Sequence, residues 1–285
     1  MKSLLYVMTF FGFFIGISLS SNGQILDSPR DGIYDEISTP EKKPVQYSSV
    51  READVAWKKR VWRTIDFRQK INHPFYYPET PQGNWKSFMR IVMDAIREGS
   101  ITAYDPTGDD MFLVPYTYSE IEKKFSKEEE IIERDPDNPE IILSSRTDIV
   151  PFDPTSVEKI QLKEDWFFDK QRSVMDVRIL GICPLVKQYD DNGNYLGTVE
   201  EMFWIYFPEA RPVFAKAEVF NTKNGAERRT YDELFWKRIF GSYIYKEENV
   251  YDRPIYKYAS GMDALLEAER IKNDLFSFEH ELWEF

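Results

Sequence analysis

Apolar positions fall into blocks of different period along the chain. Leu4 to Leu19 is almost continuously apolar. Gln24 to Val50 is polar and turn-rich, with no helical or strand period, and reads as an extended arm. Ser49-Val50-Arg51-Glu52 has the spacing of a capping box, so a helix is predicted to follow through Ala53, Val55, Trp57, Val61, Trp62 and Ile65, ending at Asn72-His73-Pro74. A second helix is predicted from Trp85 to Glu98, with Phe88, Ile91, Val92, Ala95 and Ile96 on one face and Gly99 as its stop. Short strands are predicted at Ile101–Tyr104 and Met111–Val114 around the turn at Asp105 to Gly108. Thr117-Tyr118-Ser119-Glu120 repeats the box spacing and opens a charged helix toward Phe125.

The middle of the chain changes to β character. Val174 to Cys183 and Val199 to Phe207 read as strands joined by a hairpin turn at Asp190 to Asn194, and Val213 to Phe220 as a third strand. Helical spacing returns from Thr230-Tyr231-Asp232-Glu233 and from Gly261 to Asn273. The prediction is an α+β fold: a central, mostly antiparallel sheet flanked by two helical units. A weak internal repeat raises the possibility of duplication. Trp57 to Trp62 lines up with Phe235 to Phe240, Pro74-Phe75-Tyr76 with Pro254-Ile255-Tyr256, and Met93 to Glu98 with Met262 to Glu267. The domain reading is residues 1–23 as a signal peptide, 24–50 as the arm, and 51–285 as one domain with possible halves 51–155 and 156–285.

Composition narrows the function classes. The chain has 285 residues, 49 acidic against 37 basic side chains, and a net charge of −12. An acidic balance argues against a nucleic-acid partner, because binding phosphates needs clustered Lys and Arg. The 42% of hydrophobic residues supplies a core and excludes wholesale disorder. One cysteine, Cys183, excludes an intramolecular disulfide and a Cys-rich zinc site, and its apolar neighbours predict a buried, unreactive thiol. The opening run starts after Lys2 and falls short of the ~20 residues that span a bilayer. Ser21 and Gly23 then stand at the −3 and −1 positions of a cut before Gln24, the pattern of a secretory signal peptide. With no cysteine after the run, lipid attachment there is excluded, and a soluble protein outside the cytoplasm is expected.

No catalytic, cofactor or metal residues are nominated. Asp190-x-Asn192-x-Asn194 with Glu201 imitates a calcium loop, but Tyr195 stands where the sharp turn needs Gly. His280-Glu281-x-x-Glu284 lacks the second histidine of a zinc-protease helix. A Ser–His–Asp triad would need His73 or His280, neither well placed, and no phosphate loop or nucleophile elbow is present. The 7 Trp, 17 Tyr and 21 Phe say more in bulk. Phe75-Tyr76-Tyr77, Trp166-Phe167-Phe168, Tyr243-Ile244-Tyr245 and Tyr251 to Tyr258 lie beside charges and turns. They suit core packing, protein interfaces, or stacking of sugars. The last leaves an exported glycan-acting enzyme or carbohydrate-binding module as the alternative.

Several segments, taken in order, resemble one family. They are Ala56-Trp57-Lys58-Lys59-Arg60-Val61-Trp62-Arg63-Thr64-Ile65-Asp66, Met93-Asp94-Ala95-Ile96 with Ile101-Thr102-Ala103-Tyr104, and Glu164-Asp165-Trp166-Phe167-Phe168-Asp169. Further on come Arg178-Ile179-Leu180-Gly181-Ile182-Cys183-Pro184, Phe203-Trp204-Ile205-Tyr206-Phe207-Pro208 and Tyr251-Asp252-Arg253-Pro254. Over roughly Arg51 to Phe285 the chain resembles the gliding-motility GldN/PorN family of the Bacteroidota type IX secretion system; the arm lies outside the resemblance. The resemblance implies a non-enzymatic structural protein of the periplasm, at the inner face of the outer membrane. It implies a ring built with an outer-membrane lipoprotein of the GldK/PorK type, through which membrane association is indirect. It also implies contact with the periplasmic part of a GldM/PorM-type motor protein, and no cofactor.

Overall fold

Strand β1, Val55–Asp66, occupies the segment where the helical spacing predicted a first helix. Among the described residues a single 3-10 turn, Glu52–Asp54, precedes it, and Ser49 caps no helix. The reason is alternation. Trp57, Val61 and Ile65 share one face of a strand, and Lys59 and Arg63 occupy the remaining positions of that face, while a bulge between Val55 and Trp57 turns Val55 to the opposite face beside Lys58 and Asp165. Those two cations obscure the period of two. The β-branched and aromatic content of the segment nonetheless suits a pleated, half-buried surface.

The computed structural model describes residues 41–108, 110–134, 142–189, 195–221, 224 and 226–281. The proposed signal peptide, the first part of the arm, the Asp190 to Asn194 turn and Glu284 lie outside them. After β1 come α1 (His73–Tyr76), α2 (Phe88–Arg97), β2 (Ala103–Tyr104), β3 (Pro115–Tyr116) and α3 (Tyr118–Phe125). Next are β4 (Lys127–Arg134), β5 (Ile142–Val150), β6 (Lys159–Asp169), β7 (Val174–Tyr189), β8 (Tyr195–Glu201) and β9 (Trp204–Tyr206). The chain continues with α4 (Phe207–Phe214), α5 (Tyr231–Trp236), β10 (Tyr243–Glu247) and α6 (Met262–Glu281). The main sheet has eight strands in the order β10-β1-β6-β7-β9-β2-β3, with β8 also on β7. Every ladder in it is antiparallel. β4 and β5 form a separate two-stranded ribbon. The α+β class with a mostly antiparallel sheet is therefore as predicted.

Some elements differ from their predictions. The predicted strand at Val213 to Phe220 is the end of α4 and the irregular chain after it. Pro208 in the first turn of α4 starts that helix rather than merely closing the strand before it. Met111 to Val114 is loop, and the pairing is made at Pro115–Tyr116. The first pair of repeat blocks differs in structure, since Trp57 to Trp62 lies in β1 whereas its counterpart Phe235 to Phe240 is the end of α5 and a loop; the other two pairs are helical in both copies. Other predictions hold. α3 has a reciprocal capping box, with the Glu120 amide on Thr117 Oγ1 and the Thr117 amide on Glu120 Oε2.

The two faces of the sheet are covered differently. On one face an aromatic cluster joins α1, α2, α4 and α5, with Phe75, Phe88, Phe214 and Phe235 fully or almost fully buried and ring centroids 5.2–6.0 Å apart. Tyr231 belongs to it, and its hydroxyl donates to the carbonyls of Pro74 and Lys86. Along the same face, α6 buries Ala268, Ile271 and Leu275 against Val61, Ile244 and Ile255. The opposite face holds Trp62, Cys183 and Trp204 under the loop that carries Phe112. Phe112 needs the glycine at 181, since a Cβ there would sit 2.6 Å from its ring.

Candidate docking surfaces

The residues weighed for catalysis from sequence are scattered. His73 is exposed at the start of α1 and His280 is exposed near the end of α6. Cys183 is fully buried, and burial pushes its thiol well above the ordinary range. Among the described residues no group of three or more His, Cys, Asp or Glu side chains is placed to hold a metal. A cleft of about 510 Å³ between α2, α3 and the turn at 151–154 is lined by Asp94, Glu122 and Asp153. Two of these acids already serve the fold. Asp94 accepts from Lys86 at 2.8 Å, and Asp153 accepts from the Thr155 amide and hydroxyl.

The end of the polar arm is docked on the body. Tyr47 inserts its ring between two guanidiniums, Arg178 at 3.9 Å and Arg211 at 4.3 Å from the ring centre, and stacks on Trp236 at 5.1 Å. Arg211 is held from below by a bidentate, buried pair with Asp232, at 2.7 and 3.0 Å. On either side, Lys42 donates to Glu233 and to the Arg228 carbonyl, and Arg178 donates to the carbonyl and hydroxyl of Ser48. The arm boundary drawn from sequence at Val50 thus includes a segment that belongs to the folded body. Its signal was a lone aromatic in a polar stretch.

The aromatic clusters divide. Phe75 and Phe167 are core, and Trp166 and Tyr245 are partly covered. The stretch from Val250 onward stays open. Val250 is 97% exposed and Tyr251 76%, and they are followed by Tyr256 and then by Met262, Leu265 and Leu266 at the start of α6. Arg253 lies over the rings of Tyr251 and Tyr258, which fixes their orientation. Apolar side chains concentrated this way mark interaction surfaces more often than isolated exposed ones do.

A family model described as gliding motility associated protein GldN matches residues 50–284. The chain belongs to this family. No curated protein matches it at the threshold applied. The match begins at Val50, so the docked Tyr47 segment of this GldN-family chain lies just before it, while both its arginine partners and Trp236 lie within it. The Val250 to Leu266 surface lies wholly inside.

Proposed function

We propose that this chain is a non-enzymatic structural component of the type IX secretion and gliding machinery. In this reading it works in the periplasm at the inner face of the outer membrane, after removal of residues 1–23. It assembles there into a ring with a lipoprotein of the GldK/PorK type and contacts the periplasmic region of a GldM/PorM-type motor protein. The observation that carries the reading is the family match over residues 50–284. The open apolar surface from Val250 to Leu266 supports it, because a protein that works by assembly needs such faces.

Charge bears on how the assembly forms. A chain of net charge −12 gains little from placing identical acidic surfaces together, even with salt screening over ~8 Å. A ring also needs a heterologous contact that repeats and closes. The lipoprotein partner is therefore assigned much of the contact area. Light scattering tests this. The purified chain is expected to be a monomer or small oligomer, and large particles are expected only on mixing with the lipoprotein. Full-sized rings from this chain alone would overturn that assignment. Deleting residues 24–40, which leaves Tyr47 in place, is expected to weaken the mixed assembly without unfolding the body. Co-purification from outer membranes tests the reading as a whole, and failure to recover the chain with both partners would remove it.

A further inference from the structure

Between the two apolar clusters on the α-covered face lies a cleft of about 400 Å³, a volume suited to one bound residue. Its charged lining is Arg63, Arg238 and Lys272, with no carboxylate among the lining residues of this acidic chain. Its walls are Trp166, Phe240 and Phe276, the last 69% exposed. Glu164 lies beneath, fully buried. Arg238 donates to Glu164 Oε2 at 3.1 Å and brings a second nitrogen within 2.9 Å of Oε1. Trp166 Nε1 donates to the same carboxylate. Arg63 reaches Glu164 at 3.1 Å, but its buried Nε makes no hydrogen bond. Two guanidiniums thus share one carboxylate and one indole, with Trp166 under both at 5.4–5.6 Å.

The charge does not balance. Glu164 neutralises one arginine, and the other remains a cation that is only 7% exposed. Burying a charge without its own counter-ion is costly. Burial, with Arg238 adding to it, pulls the Arg63 guanidinium below its ordinary value although Glu164 opposes this. Arg238 is held there against backbone preference. Its amide bonds the Phe235 carbonyl and the next amide bonds Leu234, which closes α5 in a Schellman motif. The position between them favours glycine, yet here an arginine adopts φ of 52°.

We propose that this cleft binds one carboxylate borne beside an apolar side chain of a partner polypeptide. A single negative charge completes the pairing of Arg63; Lys272 at the rim is already paired with the exposed Glu269 at 3.2 Å and is not needed for it. The aromatic walls take the apolar neighbour, and the guanidinium fork matches the two oxygens. A doubly charged phosphate would over-compensate the one excess cation and face Glu164 below. The carboxylate can come from a chain end or from an acidic side chain.

Titration calorimetry on the purified full chain separates these sources. The probes are N-acetyl-Leu-Phe with a free carboxylate, N-acetyl-Phe-Glu amide, and N-acetyl-Leu-Phe amide with no carboxylate. At least one carboxylate probe is expected to bind about tenfold or more tighter than the uncharged amide. The tighter of the two identifies the source. Arg63→Met is expected to lose that preference. Arg238→Gly relieves the left-handed strain and leaves a balanced Arg63–Glu164 pair, so it is expected to fold while weakening carboxylate binding about tenfold. Phe276→Ala, at the exposed rim, is expected to weaken both carboxylate probes and keep the fold. Equal binding of acid and amide, undiminished binding in Arg238→Gly, or tighter binding of inorganic phosphate than of either peptide acid would each overturn the proposal.

Discussion

Replacing Tyr47 by alanine should release residues 41–49 from the body and leave the body folded. The ring makes two cation–π contacts and one aromatic stack. Arg211 is almost fully buried, so its contact is desolvated and stands near the upper part of the usual range, about 1–2 kcal/mol; the Arg178 contact and the Trp236 stack add about 0.5–1 kcal/mol each. The total is about 2–4 kcal/mol. The flanking Lys42–Glu233 pair is about one-third exposed on both sides and adds a fraction of that.

Losing about 2–4 kcal/mol raises the detached population roughly 30- to 900-fold. Native trypsin cleavage after Lys42 reads this directly, as a matching rise in rate, while hydrogen exchange reads the body. Amides in β1 and β6 should keep their protection. Tyr47→Phe keeps the ring and should behave like the parent. Unchanged cleavage in Tyr47→Ala would refute the assignment of Tyr47 as the anchor. An equal loss of protection in β1 and β6 would refute the separation of the segment from the body.

Gly181→Ala should destabilise by about 1–3 kcal/mol, since the new methyl meets Phe112 at 2.6 Å and Trp204 at 3.1 Å; the urea midpoint measures it, and Phe112→Leu in the same chain should recover part of the loss. Four aspartates have carboxyl values below the ordinary range: Asp66 through Arg68, Asp169 through Arg172, Asp105 through Thr107, and Asp165, where burial opposes but bonds from Arg60 and Lys58 prevail. The unfolded chain takes up these protons near pH 4 and the folded chain only at lower pH, so their contribution is full above about pH 4 and is lost as pH falls through the folded values. Urea midpoints from pH 6 to 2 should fall mainly below pH 4, less steeply in Asp165→Asn. N-terminal sequencing of the native protein should begin at Gln24; retention of Met1 would remove the proposed export.

The legible parts of this fold are those whose side chains follow a single rule. α2 puts Phe88, Ile91, Val92, Ala95 and Ile96 on one buried face, and α3 is announced by a capping box. The strand from Val174 was readable because Val177, Ile179 and Ile182 are β-branched and buried or half-buried in the sheet. β1 was misread because two rules met in it. Its inward face carries Lys59 and Arg63 among apolar residues, and the outward Trp62 is also buried, under the loop with Asp110 and Phe112. A strand covered on both faces loses its alternation and shows apolar residues at spacings that a helix also produces. The family resemblance was legible because it rests on the order of many segments, none of which carries chemistry.

The cation cleft was hidden for a different reason. Arg63 follows the basic run Lys58-Lys59-Arg60, where nothing local separates a buried cation from a solvated one, and Arg238 is distant in sequence. Local sequence shows only that a helix ends without glycine at the position that favours it. The internal repeat bears on the same point. It paired Trp57 to Trp62 with Phe235 to Phe240, two aromatic-and-basic blocks that the fold makes into a strand and a helix end. The fold then brings Arg238 and Phe240 of the second block to the Arg63 and Trp166 side of the sheet that the first block helps to build. Their likeness is one of composition, cations interleaved with aromatic residues. If carboxylate binding is lost in both Arg63→Met and Arg238→Gly while the fold persists, then Arg238 of the second block and Arg63, the residue that follows the first, serve one ligand that neither stretch of sequence shows by itself.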